Sequence, residues 1–140
     1  MKVPGLRPSA DKVGGIVYFG RMLDKIRLQA QNKLPIDYQK NLGTGFDGRC
    51  CRFLRVDYMA LVNRVMKGGS DDEVLSWCFS QGRQPNAEEI EVWNGFMSKR
   101  GWNDEATETL ERFKQERGFA HRADIRTMFE FHKADEEDEG

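Results

Sequence analysis

Apolar residues in the second half of the chain recur at steps of three and four positions, which is the spacing of one face of an α-helix. Four such stripes are present: Leu61, Val62, Val65 and Met66; Ile90, Trp93, Phe96 and Met97; Ala106, Leu110 and Phe113; and Ile125, Met128, Phe129 and His132. Strict alternation of apolar and polar residues, typical of a half-buried strand, is not sustained anywhere. The pattern therefore predicts an all-α fold.

Polar residues and glycines divide the second half into successive helices. Asp, Asn or Ser at a helix start accepts a hydrogen bond from an unpaired backbone N–H, and Gly just past the end tolerates a left-handed backbone. Ser70 is followed at the third helical position by Glu73, which predicts a capping box. The predicted starts are Asp57, Ser70, Asn86, Asn103 and Asp124, and the predicted stops are Gly68, Gly82, Gly101 and Gly118.

Two helices are predicted in the first half. They run from about Ile16 to about Asn32, and from Pro35 or Ile36 to about Leu42. Residues 1–15 are predicted to form an extended arm, because Pro fixes φ and biases the preceding residue away from helix. The acidic residues 134–140 are predicted to fray. We therefore expect residues 1–140 to form a single all-α domain, a compact bundle of about seven helices.

The composition favours a folded globular protein. Of the 140 residues, 39% are hydrophobic and 11% are aromatic, and a chain of this length can bury roughly two thirds of its unfolded surface. No apolar run approaches the roughly 18 residues of a membrane span, and no signal or transit peptide is readable. Three cysteines, an odd number, are typical of reduced thiols. We therefore expect a cytoplasmic protein with no membrane partner.

The net charge of −1 is the sum of a positively charged first half and a negatively charged second half. Up to Val56 the chain has 11 Lys and Arg against 4 Asp and Glu, which gives +7, and from Asp57 onward it has 11 against 19, which gives −8. Either the halves face each other or form differently charged solvated surfaces, or the first half presents a basic face that attracts an anion. The net charge argues against sequence-specific nucleic-acid binding.

Two adjacent cysteines lie in the segment GFDGRCCRFL at residues 45–54. If Asp47 is the N-cap of a helix, Phe46 and Cys51 occupy the two positions of a hydrophobic staple, and packing alone accounts for both thiols. The alternative is a reactive thiolate, because Cys50 and Cys51 would lie near arginines and a helix N-terminus, which lower the pKa of a thiol. The sequence leaves both interpretations open.

Three arginines in and directly after this segment, Arg49, Arg52 and Arg55, recur at every third position on the side that faces solvent or an anion. Adjacent cysteines lack the usual spacing of zinc ligands, so we expect no metal and no cofactor. The sequence contains no phosphate-binding loop, dinucleotide glycine motif, HExxH motif or serine-nucleophile elbow. These absences weigh against an enzyme, and no residue is assigned a catalytic role.

The segment YFGRMLDKIRL, residues 18–28, is a second candidate. Arg21 and Asp24 lie three positions apart, so they either pair with each other on one helix face or present charge to a ligand between helices. With Tyr18 and the two cysteines they would form an interhelical pocket for a small molecule.

Four segments carry a resemblance to a known family: KVGGIVYFGRMLDKIRL, NLGTGFDGRCCRFLRVDY, EVLSWCF and IEVWNGFMSKRGW. From about Val3 to about Phe131 the chain resembles the bacterial family catalogued as domain of unknown function 5069. The resemblance implies a small bacterial stand-alone protein. It supplies no activity, cofactor or catalytic residue.

We therefore expect a non-catalytic binding or accessory protein. Its partner would be another protein or an anionic small molecule, held at a surface that carries Arg21, Arg49 and Arg52. The alternative is a small enzyme or small-molecule binder that uses a pocket near Arg21, Asp24 and the cysteine pair.

Overall fold

The computed structural model describes residues 1–138, which form eight α-helices and one short antiparallel strand pair. The strands are β1 (Lys12–Val13) and β2 (Ile16–Val17). The helices are α1 (Phe19–Ala30), α2 (Ile36–Gln39), α3 (Gly45–Leu54), α4 (Tyr58–Met66), α5 (Asp71–Gln81), α6 (Ala87–Lys99), α7 (Thr107–Glu116) and α8 (Met128–Glu137). The predicted all-α bundle is confirmed as a compact, mostly helical domain, and the expected count of about seven is close to the eight helices of the described residues.

A hairpin replaces the first turn of the long predicted helix. Val13 pairs with Ile16 across the turn Gly14–Gly15, whose φ angles are 57° and 80°. Glycine adopts positive φ without the steric cost that a Cβ atom brings, so two glycines favour a tight turn here. α1 consequently begins at Phe19 rather than at Ile16.

The N-terminal arm is anchored to the helices by Arg7. Its guanidinium binds the Asp24 carboxylate of α1, with Nε to Oδ2 at 2.9 Å, and the Asp71 carboxylate of α5, with Nη1 to Oδ2 at 2.7 Å. A Cβ atom at Gly20 would lie 2.7 Å from the Arg7 Cζ atom, so the arginine packs where α1 has no side chain. These contacts hold the arm against the bundle.

Three of the five predicted helix starts are confirmed. The Asp57 side chain accepts a hydrogen bond at 3.0 Å from the backbone N–H three residues later. Ser70 forms a complete capping box with Glu73, and Asn86 forms one with Glu89. Local hydrogen bonding therefore determines where α4, α5 and α6 begin.

The other two predicted starts are wrong. Asn103 has a left-handed φ of 48°, and the neighbouring Asp104 carboxylate accepts hydrogen bonds from the backbone N–H of Gly101 at 3.0 and 3.1 Å. Because of this loop, α7 begins about one turn later than predicted, at Thr107. Asp124 likewise lies in a loop, and the N-cap of α8 is Thr127, whose hydroxyl accepts a backbone hydrogen bond at 3.1 Å.

α1 lies at the centre of the main hydrophobic core, and nine of its 12 residues are buried. α6 packs across β2, where Trp93 Nε1 donates to the Val17 carbonyl at 3.1 Å. Ten side chains of this core have no exposed area: Ile16, Phe19, Met22, Leu23, Cys50, Leu54, Leu61, Val74, Cys78 and Met97.

The acidic C-terminal segment is more ordered than predicted. α8 continues to Glu137, so residues 134–137 are helical and not frayed. Asp135 Oδ1 accepts a hydrogen bond from Arg117 Nε at 2.6 Å, and Glu136 pairs with Arg21 of α1. Ion pairing within the fold therefore holds this segment. Residues 139–140, the rest of the predicted tail, lie outside the described residues.

Candidate functional site: a basic aromatic groove

A groove of about 660 Å³ lies between α3 and α6, beside the loop that follows α5. α3 brings two of the predicted site residues to it, Arg49 and Arg52, because residues three apart share one face of a helix. The groove is lined by Arg49, Arg52, Phe53, Arg83, Glu88, Glu89, Val92, Trp93 and Phe96. Basic and aromatic side chains therefore dominate this surface.

The floor of the groove is a stacked aromatic pair. The rings of Phe53 and Trp93 lie 4.6 Å apart at an interplanar angle of 12°. The Arg83 guanidinium covers the Phe53 ring at 4.8 Å from its centroid. Trp93 is also hydrogen-bonded to β2, and this bond fixes the position of its ring in the floor of the groove.

The rim combines exposed apolar groups with several cations. Phe96 is 40% exposed and Val92 is 66% exposed, although the sequence places Phe96 on a buried stripe. The guanidinium groups of Arg49 and Arg100 lie 4.9 and 5.3 Å from the centroid of the Phe96 ring. Partial burial lowers the pKa of Arg49, and the positive charges of Arg100 and Arg52 lower it further. Like charges therefore crowd at this end of the groove.

The arginines of the groove differ in their partners. Arg83 forms an ion pair with Glu89, and Arg100 forms one with Glu105 at 3.1 Å. In the described part of the chain, Arg49 and Arg52 form no ion pair with a carboxylate. The basic end of the groove thus carries positive charge that residues 1–138 do not neutralise.

Arg21 does not belong to this surface, contrary to the prediction that it joins Arg49 and Arg52. Its side chain is 4% exposed and binds Glu136 through both terminal nitrogens, at 2.7 and 2.6 Å. The sequence could not show this, because Glu136 is 115 positions away. Asp24 does not pair with Arg21 either, since its carboxylate is bound by Arg7.

The cysteine pair lies in the core and not in the groove. Burial raises the pKa of Cys50 well above its ordinary value and raises the pKa of Cys51 to about 12. The expected effect of nearby arginines is therefore outweighed by desolvation. The structure supports the packing interpretation and contradicts a thiolate with a lowered pKa.

Asp47 is the residue that sequence reasoning misplaced most. It is not an N-cap, because α3 begins at Gly45 with Thr44 as the preceding cap residue, and the predicted staple is therefore also wrong. The Asp47 side chain is fully buried, where its Oδ1 atom lies 2.7 Å from both the Lys25 ammonium and the Tyr18 hydroxyl. Its carboxylate links α3 to α1.

Tyr18 and Arg21 do meet at a second site, a polar cavity of about 520 Å³. This cavity also contains Lys25, His132 and Glu136, but neither Asp24 nor the cysteines line it. Two of the predicted residues, Arg49 and Arg52, therefore lie in the groove, and Tyr18 and Arg21 lie in the cavity. Asp24 and the two cysteines line neither site. Of the further groove residues, only Phe53 lies at a spacing that the sequence could have linked to Arg49 and Arg52; the contribution of α6 depends on tertiary packing.

Within residues 1–138, no group of three or more His, Cys, Asp or Glu side chains is arranged to hold a metal ion. No helix in the same part of the chain is long and apolar enough to cross a membrane.

These features define a small, mostly helical domain with two candidate binding sites. The chain belongs to the family DUF5069, described as "Domain of unknown function (DUF5069)", whose model matches residues 4–138. The match confirms the resemblance read from the sequence over nearly the whole chain. No curated protein is significantly similar to it.

Proposed function

We propose that this protein is a non-catalytic binding protein whose groove between α3 and α6 holds an acidic segment of a partner protein. The observation that carries this proposal is the pair Arg49 and Arg52, which lie beside an exposed aromatic ring and have no carboxylate partner among residues 1–138. Positive charge of this kind attracts and orients an anionic partner.

The chemistry of the groove favours an acidic segment with an apolar anchor. Carboxylates would neutralise Arg49 and Arg52, and an apolar side chain would cover Phe96 and Val92. Arginines and aromatic residues are the residue types that most often dominate binding energy at protein interfaces. A partner with both features would therefore contact the two arginines and the exposed apolar rim of the groove.

The shape of the groove favours a chain segment over a small molecule. Val92 and Phe96 lie one helical turn apart on α6 and are exposed at the rim. A small ligand at the stacked floor of Phe53 and Trp93 would leave both rim residues in water. A peptide that crosses the groove would bury them, and burial of apolar area contributes roughly 25 cal/mol per Å².

The test is selection of random peptides on the immobilised protein, followed by affinity measurement of the enriched sequences by fluorescence anisotropy. We expect enrichment of peptides that combine Asp or Glu with an apolar residue. Arg49→Ala plus Arg52→Ala should weaken their binding by about tenfold or more, because two charge-assisted contacts are lost.

The matched control is Arg112→Ala plus Arg126→Ala. Both control arginines are exposed, their loss changes the net charge by the same amount, and neither lines the groove. The control variant should bind the selected peptides like the unmodified protein. Enrichment without acidic residues, equal weakening in both double variants, or small anions that bind the groove while no peptide does would contradict the proposal.

A further inference from the structure

The polar cavity defined above lies between α1, α2, α7, α8 and the first turn of α3. Two of its cationic side chains are almost completely buried: Arg21 and Lys25 are 4% and 6% exposed. Burying a charge costs several kcal/mol unless it is paired, so charged groups on a cavity wall are an expensive arrangement. Such clusters are more frequent at functional sites than elsewhere in proteins.

The floor of the cavity is built around Lys25. Its ammonium lies 2.7 Å from Asp47 Oδ1 and donates to the Tyr18 hydroxyl at 2.9 Å. An ammonium group has three N–H donors, so these two contacts leave one donor for a ligand. Tyr18 itself has a left-handed φ of 74°, a costly conformation for a residue with a side chain, which is more common at functional sites.

The wall of the cavity supplies both signs of charge. Arg21 donates to both carboxylate oxygens of Glu136, and the Tyr38 hydroxyl donates to Glu136 Oε2 at 3.0 Å. A guanidinium has five N–H donors and a carboxylate has about four acceptor positions. Arg21 also donates to the Arg7 carbonyl at 3.2 Å, which leaves two of its N–H donors for a ligand carboxylate. Glu136 keeps about one acceptor position for a ligand ammonium.

Aromatic side chains form the apolar part of the lining. Phe46, Phe113 and Phe131 all line the cavity, and the ring of His132 lies 6.0 Å from that of Phe46. Burial lowers the pKa of His132 well below its ordinary value, and the charges of Arg21 and Lys25 lower it further. The histidine therefore contributes a neutral ring, with Nδ1 hydrogen-bonded to Ser9 at 2.7 Å.

The charges of the inner wall are balanced. Arg21 is matched by Glu136, and Lys25 is matched by Asp47. A ligand with a net charge would leave an unbalanced charge in the cavity. A ligand with one positive and one negative group would keep the total charge balanced and would contact both ion pairs. A volume of about 520 Å³ is within the usual range for a small organic molecule.

We propose that this cavity binds a small zwitterion with an apolar body, of the chemical class of the apolar α-amino acids. The carboxylate of the ligand lies at Lys25 and Arg21, its ammonium lies at Glu136, and its side chain packs against the phenylalanine rings. This site is separate from the groove, so its occupation does not depend on the function proposed above.

The test is calorimetric titration of the full chain with leucine, methionine and phenylalanine, compared with phenethylamine and 3-phenylpropionate. The last two probes each lack one of the charged groups of phenylalanine. We expect saturable binding of at least one amino acid, about tenfold or more tighter than either truncated probe, because each truncated probe lacks one of the two charge-assisted contacts of the zwitterion. Binding of 3-phenylpropionate as tight as that of phenylalanine, or no binding by any of the three amino acids, would overturn the proposal.

A second experiment locates the site without disturbing its buried ion pairs. Thr109 lines the cavity from α7, so Thr109→Trp should fill its mouth and weaken amino-acid binding at least tenfold. Glu108→Trp places the same ring on an exposed neighbouring position that does not line the cavity, and it should leave binding unchanged. Arg49→Ala plus Arg52→Ala should leave it unchanged too, which separates this site from the groove. Unaltered affinity in Thr109→Trp would contradict the proposed location.

Discussion

Arginine side chains line both the groove and the polar cavity, but the two sites differ in whether the guanidinium is paired with a carboxylate. In the cavity, Arg21 is almost fully buried and is held by both oxygens of Glu136. In the groove, Arg49 lies over the Phe96 ring near Arg52 and Arg100, and up to Asp138 it forms no ion pair with a carboxylate. One arginine has an internal partner and the other does not.

This difference distinguishes charges that hold the fold, whether or not they also contact a ligand, from charges whose only proposed role is binding. Removing one partner from a buried ion pair leaves an uncompensated charge, so the pairs of the cavity are essential to stability. Removing an arginine that repels its neighbours leaves no such penalty. α3 contributes to both regions, since Asp47 in its first turn faces Lys25 while Arg49 and Arg52 line the groove.

The largest expected effect concerns the thiols on the inner face of α3. Since burial raises the pKa of Cys51 to about 12, the thiolate fraction at about pH 8 is roughly a thousandfold below that of a free cysteine. We therefore predict that iodoacetamide alkylates the native protein at least about a thousandfold more slowly than the urea-unfolded protein. The measurement is the rate of mass increase in both states.

The same experiment tests whether the face of α3 that carries the thiols stays closed to solvent. All three cysteines are buried, so all three should be protected together in the native state. Rapid modification of Cys50 or Cys51 alone would show that the inner face of α3 opens to solvent, which would contradict this assignment of its two faces.

The next largest effect is expected for Asp47→Ala. This change leaves the buried Lys25 ammonium without its carboxylate and removes the acceptor of the Tyr18 hydroxyl. We predict a loss of about 3–5 kcal/mol in the free energy of unfolding, measured by urea denaturation.

Asp57→Ala is the matched control for Asp47→Ala, because Asp57 is exposed and caps α4 through one hydrogen bond. It should cost only about 1 kcal/mol. A similar cost for both variants would mean that the buried pair of the cavity does not hold the fold.

A smaller effect is expected from His132, which faces the charged groups Arg21 and Lys25. Because its pKa is lowered in the folded state, the unfolded chain takes up a proton below about pH 6.5 while the folded chain does not. Its contribution to stability is therefore complete above that pH and is lost as the pH falls, by up to about 1.4 kcal/mol per pH unit.

Urea denaturation between about pH 7 and pH 5.5 measures this slope. The variant His132→Gln should flatten it, whereas His121→Gln, at an exposed position, should not. An unchanged slope in His132→Gln would indicate that the histidine is protonated in the folded protein.

Local features of the fold were predictable from the sequence. The helical class follows from apolar spacing, and the starts at Asp57, Ser70 and Asn86 follow from side chains that bond to the backbone three residues away. Asn103 and Asp124 satisfy the same local rule but fail, because loop hydrogen bonds compete with helix formation there. Local propensity is overridden where such competing partners exist.

The sites were predictable only in part. Arg49 and Arg52 share a helix face, so their common surface follows from spacing alone. Arg21 was placed on that surface wrongly, because its partner Glu136 lies 115 positions away. Asp47 was predicted to be an N-cap because its true partners are also distant in sequence. Lys25 and Tyr18 contact its carboxylate only in the folded chain.

The most direct test of the central claim compares Arg49→Ala plus Arg52→Ala with Arg21→Ala by urea denaturation at low salt. We predict that the groove variant changes the free energy of unfolding by less than about 1 kcal/mol, because relief of repulsion offsets the lost contact with Phe96. Arg21→Ala should lose about 3 kcal/mol or more, because it leaves Glu136 without its guanidinium. Equal losses in the two variants would contradict the claim that the groove arginines are free to bind while the cavity arginine holds the fold.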